Sequence, residues 1–403
     1  MEKTIVATHA GPADRLPGLD FLRAIAIGGV LIYHASLFDF VSRDHWVVRF
    51  GWMGVDLFFV LSGYLIAGQL FRPWARGEAP DYRRFFARRW LRTLPAYLAM
   101  VALYFALPVV RERPDIQPLW QFLTFTQNFA LDFPIPGAFS HAWSLCVEEQ
   151  FYLAFPLAAA LIAIRPSAVK VVSAMVVVLI AGMVLRGYFW LHDVAGAPAA
   201  EPGAVAFMKF IYYPSWARLD GPLAGIAVAA IQTFRPHWWR RLTASPNVLL
   251  GAGAAGVGMA SVLFRDMIPG FLPTILAFPL LACAMALLVA AGSDRRSLIG
   301  RYAIPGAGML ATGAYSLYLS NMIAFHAAQG MMRDASIQIP GVPLCLAMLN
   351  VAATGTLLYW LVERPFLRIR DRLRSPPRTD VAAQLPAPAP AAALRQRLAG
   401  EVS

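Results

Sequence analysis

The chain has 403 residues, of which 58% are hydrophobic and only 14% charged, with a formal net charge of +12. Its mean hydropathy is +0.55 and its pI about 10.0. A soluble domain carries about 25% charged residues, so the composition excludes a water-exposed globular enzyme. The basic excess does not indicate nucleic acid either, because it clusters in short connections between apolar stretches, the pattern of membrane topology.

The first 20 residues hold charges and Pro rather than an apolar core, so no cleavable signal peptide is expected. Ten spans follow, at about 18–38, 51–71, 85–107, 143–164, 168–189, 212–232, 247–264, 270–291, 306–328 and 342–363, each near the roughly 20 residues needed to cross hydrocarbon. The segment 118–129 (PLWQFLTFTQNF) is too short and polar for a span and reads as re-entrant or interfacial. Of the 35 Lys and Arg residues, 25 fall in one set of alternate connections and 7 in the other, which places both termini in the cytoplasm. The fold class is therefore all-α, a polytopic transmembrane bundle. Residues 1–17 form a cytoplasmic lead-in and 18–370 the membrane domain, while the Pro/Ala-rich 371–403 reads as a disordered cytoplasmic tail with no second globular domain after the membrane unit. Cys146, Cys283 and Cys345 lie in apolar stretches and read as small buried hydrophobes rather than a disulfide framework.

Three constellations carry chemistry. Arg23 and His34 are eleven residues apart in LDFLRAIAIGGVLIYHAS. Eleven helical steps return to within about 20° of the starting direction, roughly 16 Å along the axis, so both polar heads lie on one stripe. Ionisable groups inside a span are costly and mark function by default; against that, Arg23 could snorkel and His34 could be a packed helix contact. In DYRRFFARRWLRTLP, Arg89 and Arg92 share a helix face and offer planar donor forks suited to phosphate, whereas Arg83, Arg84 and Arg88 read as the ordinary positive-inside cluster. In SHAWSLCVEEQFYLAFP, Glu148 and Glu149 point about 100° apart, so only one can face a given cavity. Pairing of that carboxylate with His34 would orient the imidazole as in a catalytic triad, while His141 reads as a loop residue.

Weaker signals surround these. Gly51, Gly54, Ser62 and Gly63 read as small residues that let helices approach. Arg218 and Asp220, two apart, must find separate partners. Trp120, Phe133, Trp190 and Tyr212 read as interfacial anchors, with stacking on sugar rings as the alternative. No metal-ligand spacing, P-loop or dinucleotide fingerprint appears, so no metal is expected. From the residues alone a membrane enzyme and a transporter or flippase for lipid-linked sugars both remain open.

Taken in order, LDFLRAIAIGGVLIYHAS, GVDLFFVLSGYLI, FFARRWLRTLPAY, HAWSLCVEEQFY, YSLYLSN and VERPF resemble the acyltransferase 3 family of integral membrane acyltransferases, from Asp20 to Phe366. The resemblance implies an O-acyltransferase, acetyl by default, that uses acyl-CoA from the cytoplasm as co-substrate and delivers the acyl group to a hydroxyl of a sugar or surface glycan, such as lipopolysaccharide, outside a bacterial-type inner membrane. It implies catalytic His34, with Arg23 and Glu148 as its companions, and donor-binding Arg89 and Arg92. Membrane lipid and the glycan acceptor are the implied partners, with glycan-assembly proteins as further candidates. YSLYLSN has Asn321 where many relatives place a histidine.

Overall fold

The structure is a computed structural model that describes residues 16–129, 137–197, 200–266, 268–335 and 341–373. The lead-in up to residue 15 and the tail after 373, like Phe133, lie outside the described residues. Among the described residues every regular element is helical.

Eleven helices frame the molecule: α1 (Pro17–Leu37), α2 (Gly54–Ala75), α3 (Tyr82–Ala106), α4 (Trp143–Ile164), α5 (Ala168–Phe189), α6 (Asp220–Phe234), α7 (Pro246–Leu263), α8 (Phe271–Gly292), α9 (Ala307–Ala335), α10 (Val342–Leu358) and α11 (Arg364–Arg372). Pro occupies the first turn of α1, where its missing N–H is not needed. The Asp81 carboxylate caps α3 by accepting the Arg84 backbone N–H at 2.9 Å.

Among the described residues seven helical stretches are both long and apolar enough to cross a membrane. The other three expected spans are helices as well, but each misses one criterion. α6 has only 15 residues. α3 opens with five arginines, and α9 is studded with Ser, Thr, Asn and Gln. The count of ten is thus not reached on length and apolarity. The 118–129 segment is a short helix, Leu119–Leu123, followed by a tight turn, with Phe122 and Gln127 fully buried.

The centre is built from α1, α2, α6, α8 and α9, which pack on one another. Backbone contact explains the small residues: a Cβ on Gly63 would stand 2.2 Å from the Pro222 carbonyl, and one on Gly225 equally close to that of Val60. Helices that touch this closely lack room for side chains between them. Two ion pairs tie this core. Arg186 on α5 holds Asp220 with a two-pronged bond of 2.7 and 3.0 Å, and Arg218 donates to Asp56 at 2.7 Å. Arg218 and Asp220 do find separate partners. Of the cysteines, only Cys146 is buried; Cys283 and Cys345 are exposed.

Candidate functional site

Two chambers meet inside the bundle. The first, about 690 Å³, is rich in arginine and is lined by Arg23, Arg89, Arg92 and Glu148 among others. The second, about 1010 Å³, is lined by His34, His141 and a group of aromatic side chains including Tyr33, Trp52, Trp143 and Tyr212. Val55 and Tyr318 line both, so the chambers are separated by a neck about one side chain thick. The Tyr318 hydroxyl donates to the His141 carbonyl at 2.5 Å and therefore accepts from Ser144 Oγ, 2.7 Å away.

Arg23 and His34 open into different chambers. Arg23 pairs with Asp20 one turn back at 2.9 Å on the arginine side, and His34 sits on the other side of the neck. The common stripe of α1 is real, but the two residues do not meet.

His34 is 8% exposed and its Nδ1 lies 2.8 Å from Asn321 Oδ1. The carboxamide orientation is fixed independently, because Asn321 Nδ2 donates to the carbonyls of Tyr318 at 2.5 Å and Leu317 at 3.3 Å. Oδ1 is then an acceptor, so His34 carries its proton on Nδ1 and keeps a lone pair on Nε2. The orienting group is thus a neutral amide from α9, 287 positions along the chain.

The expected pairing of Glu148 with His34 does not occur. Glu148 faces the arginine chamber, where Ser62 Oγ donates to it at 2.8 Å, the Tyr152 hydroxyl at 2.9 Å and Arg89 at 3.5 Å. Arg89 also lies 3.9 Å from Glu149 and stacks its guanidinium 3.4 Å above the Tyr152 ring. Those contacts make Arg89 and Glu148 a brace that joins α2, α3 and α4. Arg92, one turn on, lines the chamber beside it. Glu149 points away and is buried, as the 100° offset requires.

Two residues gain importance over their sequence reading. His141 is not a loop residue: it is 5% exposed, its ring centroid lies 5.9 Å from that of His34, and it faces the same chamber. Tyr212 is buried against Trp143 and Trp52 on the chamber wall rather than anchored at an interface. Trp120 is 59% exposed, and Trp190 donates to the Pro269 carbonyl at 2.9 Å. Among the described residues no cluster of three or more metal-ligating side chains forms.

Residues 16–363 match the family described as the acyltransferase domain. The chain belongs to that family. It is 26% identical over 372 residues to the peptidoglycan O-acetyltransferase OatA of Listeria monocytogenes, covering 87% of this chain and 55% of that protein. It is 35% identical over 155 residues to the O-acetyltransferase OatA of Staphylococcus aureus (strain NCTC 8325 / PS 47), covering 35% of this chain and 24% of that protein. The chain therefore spans about half the length of the first relative and about a quarter of the second. No solved structure matches. In this chain the His34 segment and the arginine segment quoted from the sequence fall on the walls of the two chambers, one on each side of the neck.

Proposed function

We propose that this chain is a membrane O-acyltransferase that takes an acyl group, acetyl by default, from acyl-CoA in the arginine chamber and passes it to a hydroxyl of a cell-wall or surface glycan in the His34 chamber. The observation that carries this reading is the back-to-back arrangement of the two chambers across the Tyr318 and Val55 neck. A guanidinium-rich cavity suits the phosphates of coenzyme A, and an aromatic-walled cavity suits sugar rings. The Lys and Arg bias favours a cytoplasmic arginine chamber and an outer His34 chamber in a bacterial inner membrane.

In the reaction, the acceptor oxygen attacks the thioester carbonyl while His34 Nε2 takes the hydroxyl proton. The C–S bond breaks, the C–O bond forms, and the proton passes to the departing coenzyme A thiolate. A variant route has Nε2 attack first, giving an acyl-histidine that the acceptor then cleaves. Asn321 fixes the tautomer in either route. Arg92 and the chamber arginines hold the donor, Arg23 neutralises charge at the entrance, and the Arg89–Glu148 brace shapes the wall. The name of the Listeria monocytogenes relative points to peptidoglycan as an acceptor to try first.

Release of free coenzyme A in proteoliposomes supplied with acetyl-CoA and glycan tests the reading. Wild type should release it and His34→Ala should not, although the variant still reaches the membrane. Movement of glycan without coenzyme A release would favour a transporter and overturn the proposal.

A further inference from the structure

The last helix, α11, has two unlike faces. Arg364 and Arg368 are one turn apart and line the arginine chamber together with Leu367 and Asp371. Phe366, Ile369 and Leu373 lie on the opposite side and are exposed. A basic amphipathic helix at a membrane ordinarily turns its charged face to water or headgroups and its apolar face into lipid. Here the apolar face is outside and the arginine face looks into a cavity, so those arginines are placed to meet something that enters the chamber.

The helix is held in that attitude at both ends. Glu363 accepts Ser316 Oγ from α9 at 2.6 Å, and Arg84 of α3 donates to the Leu373 carbonyl at 2.5 Å. The Arg364 guanidinium lies 3.6 Å over the Trp360 ring, a stack that leaves its edge N–H groups available. The charges of the chamber are also unbalanced. Its three carboxylates are already engaged: Asp20 with Arg23, Glu148 with Arg89 and Asp371 with Arg370. Among the described residues no carboxylate lies within salt-bridge distance of Arg72, Arg92, Arg364 or Arg368, although Glu363, bonded to Ser316, attracts Arg92 from further off. These four arginines face one cavity from α2, α3 and α11.

We propose that α11 is one wall of a phosphate-binding subsite, in which Arg364 and Arg368, with Arg72 and Arg92 across the chamber, hold the phosphorylated nucleotide end of a coenzyme A thioester. The inference rests on the donor reading above and gives it a location. Arg89, spent on the glutamates and Tyr152, is a positioning residue rather than a phosphate ligand.

The test uses the full chain in nanodiscs and measures coenzyme A binding by calorimetry. Wild type in neutral phosphatidylcholine nanodiscs should bind. Arg364→Gln/Arg368→Gln should bind at least about tenfold more weakly, and should show a shallower dependence of affinity on salt. Arg368→Gln alone, an exposed side chain whose loss spares the fold, should give a smaller loss in the same direction. Dephospho-coenzyme A should bind wild type more weakly than coenzyme A. Equal coenzyme A binding by wild type and the double variant overturns the subsite while leaving the donor reading intact. No binding by wild type overturns the donor reading and the subsite with it. If 30% phosphatidylglycerol in the disc displaces coenzyme A from wild type but not from the double variant, the arginines read lipid headgroups and the subsite is also refuted.

Discussion

Asn321→Ala isolates the orientation of His34 from its chemistry. The substitution removes the acceptor 2.8 Å from His34 Nδ1 and leaves that N–H without its partner in a chamber wall where the residue is 8% exposed. A buried donor left unpaired costs about 1–3 kcal/mol. As Nε2 takes the proton the ring becomes cationic and its Nδ1–H bond to Oδ1 strengthens, so up to that full cost falls on the reacting state alone. At about 1.4 kcal/mol per decade of rate, kcat should drop between about fivefold and about 150-fold. Water that enters the space vacated by the fully buried carboxamide would bring the value towards the lower end. The assay is coenzyme A release in proteoliposomes with donor and acceptor varied separately. KM for acetyl-CoA should stay unchanged, because Asn321 lines neither the arginine chamber nor the neck. Wild-type kcat in Asn321→Ala, or an equal rise in donor KM, would refute the argument that this amide sets the histidine.

Other consequences follow from partners already described. Glu148→Gln should lower thermal stability in detergent by about 2 kcal/mol, below the 3–5 kcal/mol of a fully buried pair because its side chain is 16% exposed; an unchanged unfolding curve would show that the brace bears no strain. Glu112, in the connection after α3, accepts the Phe139 N–H and the Tyr104 hydroxyl, both at 2.9 Å. Burial holds its carboxyl above the usual range. A raised folded value means that the stability it confers is complete below the unfolded carboxylate value of about 4.3 and is lost as pH rises through the folded one. Hydrogen exchange of segment 108–118 should therefore be more protected at low pH after correction for intrinsic rates, and Glu112→Gln should flatten that dependence.

Local pattern made a good part of this legible. Hydropathy placed ten of the eleven framing helices, all but α11, and the eleven-residue spacing put Arg23 and His34 on one stripe. The two-residue offset of Arg218 and Asp220 required different partners, which Asp56 and Arg186 supply. What stayed hidden depended on long-range packing. The partner of His34 comes from α9, and nothing near residue 34 announces it. Glu148 meets Arg89 rather than His34 because its depth relative to Arg89 is set by how α3 and α4 lie together. His141 had a signal in its place next to the Trp-Ser-Leu-Cys entry of α4, where a short 3-10 turn carries it inward. In the sequence the arginines of α11 read as part of the basic excess beyond the last span, although the alternation of Arg364 and Arg368 with Phe366 and Ile369 describes a two-faced helix.

The neck has an electrical meaning as well as a steric one. Where two wet cavities approach from opposite ends, the insulating layer between them is far thinner than the bilayer, and the membrane voltage is concentrated across it. Moving one elementary charge through that layer involves about 2.3 kcal/mol per 100 mV. In the proposed reaction a neutral acyl group crossing at Tyr318 would do no work against this field, whereas the proton that His34 returns to the coenzyme A thiolate would. Tyr318, held between Ser144 and the His141 carbonyl, is the side chain that stands at that layer.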